Sequence, residues 1–147
     1  MHLKWPNDLM AGDSKLAGVL LERVANTVVV GIGVNLAVAP QIDGRETAAL
    51  CDFDQPPSRD AFATNLERQF AVELERWRTV GLASIIRRWV AAAHPIGTRL
   101  KVSEPGGAHT EGEFAGLDEA GALQLRLADG AMRAIHAGDV TVAAKHK

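Results

Sequence analysis

The feature that most constrains this chain is a pair of strand-like runs held two residues apart. Leu16 to Val24 reads LAGVLLERV, Thr27 to Asn35 reads TVVVGIGVN, and only Ala25-Asn26 lies between them. Two β-forming runs on so short a connection fold back on each other as a hairpin. The first run is apolar and almost unbroken, the pattern of a strand covered on both faces. The second is rich in β-branched residues, which suit a pleated surface. Ahead of the pair, His2 to Trp5 reads as a short strand. It is ended by Pro6, which has no N–H to donate, and by Asn7-Asp8, which favour a turn. Met10 to Lys15 contains Gly12-Asp13-Ser14, a second turn signal.

After the hairpin, residues 37–57 form a loop punctuated by Pro40, Gly44, Pro56 and Pro57, with a helical turn expected at Glu46 to Leu50. Ser58 is a suitable N-cap and Asp60 a suitable first-turn acid. From there Phe62, Leu66, Phe70, Leu74 and Trp77 recur at helical spacing, so this stripe is expected to be core, and Gly81 ends the helix. A second helix is expected from Leu82 to Ala93, stopped by His94-Pro95. Beyond Pro95 the runs become short and alternating, as in Leu123, Leu125 and Leu127, with turn signals at Pro105-Gly106-Gly107 and Asp129-Gly130. Such spacing predicts a small antiparallel barrel. The expected organisation is therefore α+β. A mixed or antiparallel sheet with helices occupies residues 1–95, and a small barrel occupies residues 96–147. The tail from Ala143 to Lys147 is expected to fray.

Composition narrows the functional classes. Sixteen Lys and Arg against 18 Asp and Glu leave a formal charge of −2, which offers no basic footprint for general nucleic-acid binding. Tyr is absent and aromatics are 5%, a poor basis for stacking single-stranded bases. Cys51 is the one cysteine, so no disulfide within the chain and no four-thiolate zinc site can form, and a cytoplasmic setting is expected. No apolar run approaches the ~20 residues of a membrane helix. His94, His109 and His136 lie at no metal-ligand spacing and read as ordinary loop or surface residues.

Several residues near the hairpin have chemical potential, each with a plainer alternative. Gly31 and Gly33 interrupt a β-branched strand. They leave bare backbone for a ligand, or mark a bulge or tight packing. Lys15 opens an apolar strand, either as a solvated edge residue or as a fixed positive charge for a carboxylate or phosphate. Asp8 either stabilises its own turn or holds a magnesium ion on a nucleotide phosphate. Asn35 caps a turn or reads a base edge through its amide. Trp5 reads as core.

Taken together, these segments resemble the core motifs of the biotin–protein ligases. Lys4-Trp5-Pro6-Asn7-Asp8 is similar to the family's KWPND strand-turn. The run from Lys15 to Glu22, KLAGVLLE, is similar to its K-[LI]-[AG]-G-[IV]-L-x-E strand. Gly31-Ile32-Gly33-Val34-Asn35 is similar to its G-x-G-x-N strand. The resemblance implies part of a class II synthetase-like catalytic domain, followed by a barrel of the Src-homology-3 type. It implies ATP-dependent activation of biotin to biotinyl-5′-AMP, then transfer to a lysine of the biotin carboxyl carrier domain of a carboxylase. By position, Lys15 would be the catalytic residue, meeting the biotin carboxylate and the α-phosphate. Gly18, Val19, Leu20, Gly31 and Gly33 would line the biotin site. Lys4, Asn7 and Asn35 would serve the nucleotide, and Asp8 the Mg2+ that accompanies ATP.

The family's glycine- and arginine-rich loop, expected upstream of KWPND, has no counterpart in the sequence. The resemblance thus implies a C-terminal portion with little or no adenylation unaided. An exposed strand edge is expected to recruit a second copy or the missing N-terminal half. The family's DNA-binding winged helix is likewise absent, so no DNA partner is expected, and no membrane partner either. A lipoate or octanoate ligase relative and a non-catalytic binding module are the alternative readings.

Overall fold

In the computed structural model, which describes residues 1–143, the chain divides into two compact units. The first comprises Met1–His2 with Asn7–Thr79, and the second comprises Leu3–Pro6 with the described residues from Val80 onward.

The first unit is built on the predicted hairpin. Strands β1 (His2–Lys4), β2 (Asp8–Ala11), β3 (Ser14–Val24) and β4 (Thr27–Val34) form a sheet in the order β1-β2-β3-β4. β3 and β4 pair antiparallel from Ala17↔Val34 to Val24↔Thr27. The two-residue turn closes with Ala25 in the left-handed region at φ 53, a conformation that non-glycine residues seldom adopt. β2 pairs with β3 from Asp8↔Gly18 to Ala11↔Ser14. Leu9 faces Ala17 and Met10 faces Lys15, so Leu16 is the extra residue of a β-bulge.

Coverage of β3 departs from expectation. Leu20 and Leu21 are 74% and 69% exposed, and Val24, Val28 and Val29 are exposed as well. β2 meets β3 only as far as Gly18, so the far half of the hairpin is a two-stranded arm with apolar side chains on both faces. Helix α1 (Arg59–Val80) starts as predicted, with the Ala61 N–H donating to Ser58 Oγ at 3.3 Å. Its apolar stripe, however, is not core. Phe70 and Trp77 are exposed, and no residue of the helix is buried. A gap of about 260 Å³ lies between Val30 and Ile32 of the sheet and Ala63, Leu66 and Phe70 of the helix. Helical spacing reports which face is apolar. Whether that face is covered depends on what packs against it.

The loop after β4 also differs from prediction. Glu46 and Ala48 are extended, because their backbone groups are taken by Lys15. The Lys15 N–H donates to Glu46 O at 2.9 Å, and the Ala48 N–H donates to Lys15 O at 3.0 Å. The helical turn falls later, as a 3₁₀ turn over Leu50–Asp52.

The second unit carries helix α2 (Leu82–Ala92), which follows Gly81 at φ 86. Strands β5 (Arg99–Ser103), β6 (His109–Leu117), β7 (Leu123–Arg126), β8 (Met132–Ile135) and β9 (Asp139–Val142) form an antiparallel sheet ordered β8-β7-β6-β5-β9. No ladder between β8 and β9 closes this sheet into a full barrel among the described residues. Its core is Leu100, Val102, Phe114, Leu123, Leu125, Ile135 and Val140, and Trp5 joins it from the start of the chain. The Trp5 indole N–H donates to Gly121 O at 3.2 Å, so the buried ring keeps its polar group satisfied.

Candidate functional site

Along a regular strand side chains alternate between faces, so Lys15 and Gly18, three apart, would point in opposite directions. The bulge at Leu16 cancels that alternation. Lys15 Nζ reaches Asp8 Oδ1 at 2.5 Å, and Asp8 stands directly opposite Gly18 in the ladder. A Cβ placed on Gly18 would meet Lys15 Cε and Nζ at 3.0 Å and Asp8 Oδ1 at 3.4 Å. The ammonium therefore lies across the bare backbone of Gly18. Gly18 pairs with Gly33 and Leu20 with Gly31, which puts both β4 glycines on the same face as that ammonium. A Cβ at Gly31 or Gly33 would touch no atom nearer than 3.7 or 4.0 Å, so both look onto open space.

This face is the floor of a cleft of about 660 Å³. Lys15, Gly18, Val19 and Leu20 line it from β3, and Gly31, Gly33 and Asn35 from β4 and its end. Asn7 contributes from the turn before β2, and Pro40, Ile42 and Thr47 from the following loop. The walls are largely apolar, with one cation at the Lys15 end. Such a cleft suits an apolar body ending in an anion.

The electrostatics centre on the Lys15–Asp8 pair. Asp8 is 8% exposed, and the Lys15 side chain is 33% exposed. A buried carboxylate needs a partner, and Lys15 supplies it. The other candidates fall into two groups. Asn7 Nδ2 donates to Val19 O, and the Val19 N–H returns a bond to Asn7 O at 2.9 Å, which locks the turn to β3. Asn35 Nδ2 donates to Ala48 O at 2.9 Å and more distantly to Lys15 O at 3.4 Å. Lys4 belongs to the second unit, where its ammonium pairs with Asp139 at 3.8 Å. Among the described residues no three His, Cys, Asp or Glu side chains gather into a metal site, and Asp8 already holds Lys15. Sequence reasoning missed the backbone clamp on Lys15 from residues 46–48, which joins segments more than 30 positions apart and leaves no local signal.

The comparisons with known proteins fall at two levels. At the broader level, the sequence model of the Biotin/lipoate A/B protein ligase family matches residues 1–38, the segment that carries Lys15 and both glycines. The model described as Biotin protein ligase C terminal domain matches residues 96–142. At the narrower level, the chain is 34% identical over 139 residues to a biotin--[acetyl-CoA-carboxylase] ligase of Mycobacterium tuberculosis, covering 94% of this chain and 52% of the relative. It is 36% identical over 137 residues to that of Paracoccus denitrificans, covering 86% and 57%. It is also 30% identical to the bifunctional ligase/repressor BirA of Escherichia coli, covering all of this chain and 48% of the relative. Biotin protein ligase from Aquifex aeolicus has the same fold, with a TM-score of 0.85 at 20% identity, over 97% of this chain and 65% of that one. Both family models and these relatives mark the chain as similar to the biotin protein ligases. It spans about half the length of the curated relatives it matches.

Proposed function

We propose that this chain carries the biotin and acyl-phosphate part of a biotin ligase active site. In this reading the bicyclic ring of biotin lies on the glycine floor of Gly31 and Gly33, beside Gly18, Val19 and Leu20. Its carboxylate points to the Lys15 ammonium. The nucleotide extends toward Asn7 and Asn35. The reaction is adenylation followed by acyl transfer. A biotin carboxylate oxygen attacks the α-phosphorus of ATP, supplied as its magnesium complex, and the bond to the bridging oxygen breaks as pyrophosphate departs. The uncharged amine of a carrier-domain lysine then attacks the acyl carbon. AMP leaves with the electron pair of the anhydride bond, and the surplus proton passes to solvent.

The observation that carries this reading is the Lys15 ammonium lying over Gly18, on the same face as Gly31 and Gly33. Negative charge migrates between carboxylate and phosphate during both steps, and a fixed cation at that point favours the more charged state. Asp8 orients the ammonium, and the cleft lining holds no other charged side chain among the described residues. The exposed apolar arm of β3 and β4 supports a further element: in the working protein this hairpin is covered by additional polypeptide, either a second copy or the half of the fold that the relatives possess.

The test is calorimetric binding of a non-hydrolysable biotinyl-adenylate, with the lipoyl analogue as control. Lys15→Ala is expected to weaken binding on the order of a hundredfold while leaving the circular dichroism spectrum unchanged. Equal binding by Lys15→Ala and the parent chain would refute the reading. Transfer of biotin to a carrier domain, with and without a polypeptide supplying the family's glycine- and arginine-rich loop, tests the activity itself.

A further inference from the structure

We infer that Asn35 is a positioning residue that fixes Lys15 through the backbone, a role beyond any contact with the nucleotide; the inference rests on the reading of Lys15 given above. β4 ends at Val34, opposite Ala17, so past that point β3 loses its regular partner on that side just where Lys15 sits. Two substitutes take over. The Asn35 N–H donates to Leu16 O at 3.0 Å, and residues 46–48 grip both backbone groups of Lys15 in a parallel bridge to Thr47. Nothing regular anchors that segment, which belongs to a loop. The Asn35 side chain anchors it, with Nδ2 donating to Ala48 O at 2.9 Å and lying 3.4 Å from Lys15 O. Asn35 O in turn accepts from the Leu50 N–H at 2.8 Å. Both oxygens facing the amide are carbonyls, which only accept, so the group aimed at them has to be the NH2.

The clamp matters because Lys15 stands on a bulge, where the ladder gives its backbone less definition than an ordinary strand position. A long side chain is only as well placed as the backbone beneath it. Holding that backbone from both sides saves ordering that the ligand would otherwise have to supply.

The test uses two probes on the full chain: biotinyl-sulfamoyl-adenosine, and methyl N-biotinylsulfamate, which has the acyl-sulfamate but no nucleoside. Asn35→Asp keeps the side-chain oxygen and replaces the donor with an anion facing two carbonyls. The expected result is a loss of about tenfold or more for both probes, larger than for Asn35→Ala, and largely absent in a Lys15→Ala background. Should Asn35→Asp fail to fold, Asn35→Ala carries the same two-probe comparison. A loss confined to the nucleoside probe, tolerance of aspartate, or an undiminished effect in the Lys15→Ala background would overturn the inference. If the parent chain binds neither probe, the reading of the cleft fails instead. The exchange rate of the Ala48 amide then decides the clamp: acceleration in Asn35→Ala upholds it and an unchanged rate overturns it.

Discussion

Substituting Gly18 by alanine separates stability from ligand binding at one position. The backbone there lies outside the left-handed region, so alanine adopts it without strain, and the new methyl meets chiefly the flexible end of Lys15, with Asp8 Oδ1 at 3.4 Å in ordinary contact. It would sit 3.0 Å from Lys15 Cε and Nζ, inside the ~3.5–4.0 Å at which non-bonded atoms are comfortable. The ammonium therefore moves off Asp8 by about an ångström. At an effective dielectric of about 20, lengthening the pair from its 2.5 Å to about 3.5 Å removes roughly 2 kcal/mol of attraction. Lys15 is a third exposed, and solvent screening reduces this to about 1 kcal/mol. The alanine returns about 0.5–1 kcal/mol through a less flexible unfolded chain. Gly18→Ala should therefore melt within about 2 °C of the parent. It should bind a biotinyl-adenylate analogue about fivefold more weakly, since the cation must be driven back before it meets the ligand. Differential scanning calorimetry and isothermal titration read the two quantities separately. Unchanged affinity, or a melting point lowered by more than about 5 °C, would refute the placement of Lys15 over this glycine.

Gly33→Ala should leave melting unchanged or raise it slightly, because its Cβ has nothing nearer than Gly18 O at 4.0 Å. Titration of the same analogue should show a loss of about tenfold or more, since the methyl stands up from the floor of the cleft; unaltered affinity would remove Gly33 from the ligand site. Gly112→Ala should behave in the opposite way. Its Cβ would lie 2.8 Å from Arg126 O and 3.2 Å from Leu125 Cβ, where backbone cannot step aside, for a cost of about 2–3 kcal/mol. Urea denaturation would show the loss, and a stability equal to the parent's would contradict the observed β6–β7 spacing.

The hairpin was legible because its two runs and their short connection are local in sequence. So were the strands of the second unit, where Leu123 and Leu125 are fully buried as their alternation predicts. Leu127 falls outside the strand, because β7 ends at Arg126 and the chain turns there. The site was legible as a set of motifs but not as a geometry. Counting by twos sends Lys15 away from the glycines, and only the bulge at Leu16 brings it back. No residue type announces a bulge of that kind. The clamp by residues 46–48 was hidden for a related reason, since it pairs a strand with a loop. The exposure of Leu20, Phe70 and Trp77 shows the other limit. An apolar side chain records a need for cover, and its periodicity does not say what packs against it.

The seating of Trp5 bears on how the molecule comes to be assembled. Its ring completes a nucleus whose other members begin at Leu100, and its indole reaches a carbonyl 116 positions downstream. During synthesis, Trp5 finds its resting place only once residues some 116 positions later have emerged, a slow kind of closure. Expressing residues 96–142 by themselves would leave out this plug and bare the apolar side chains it covers.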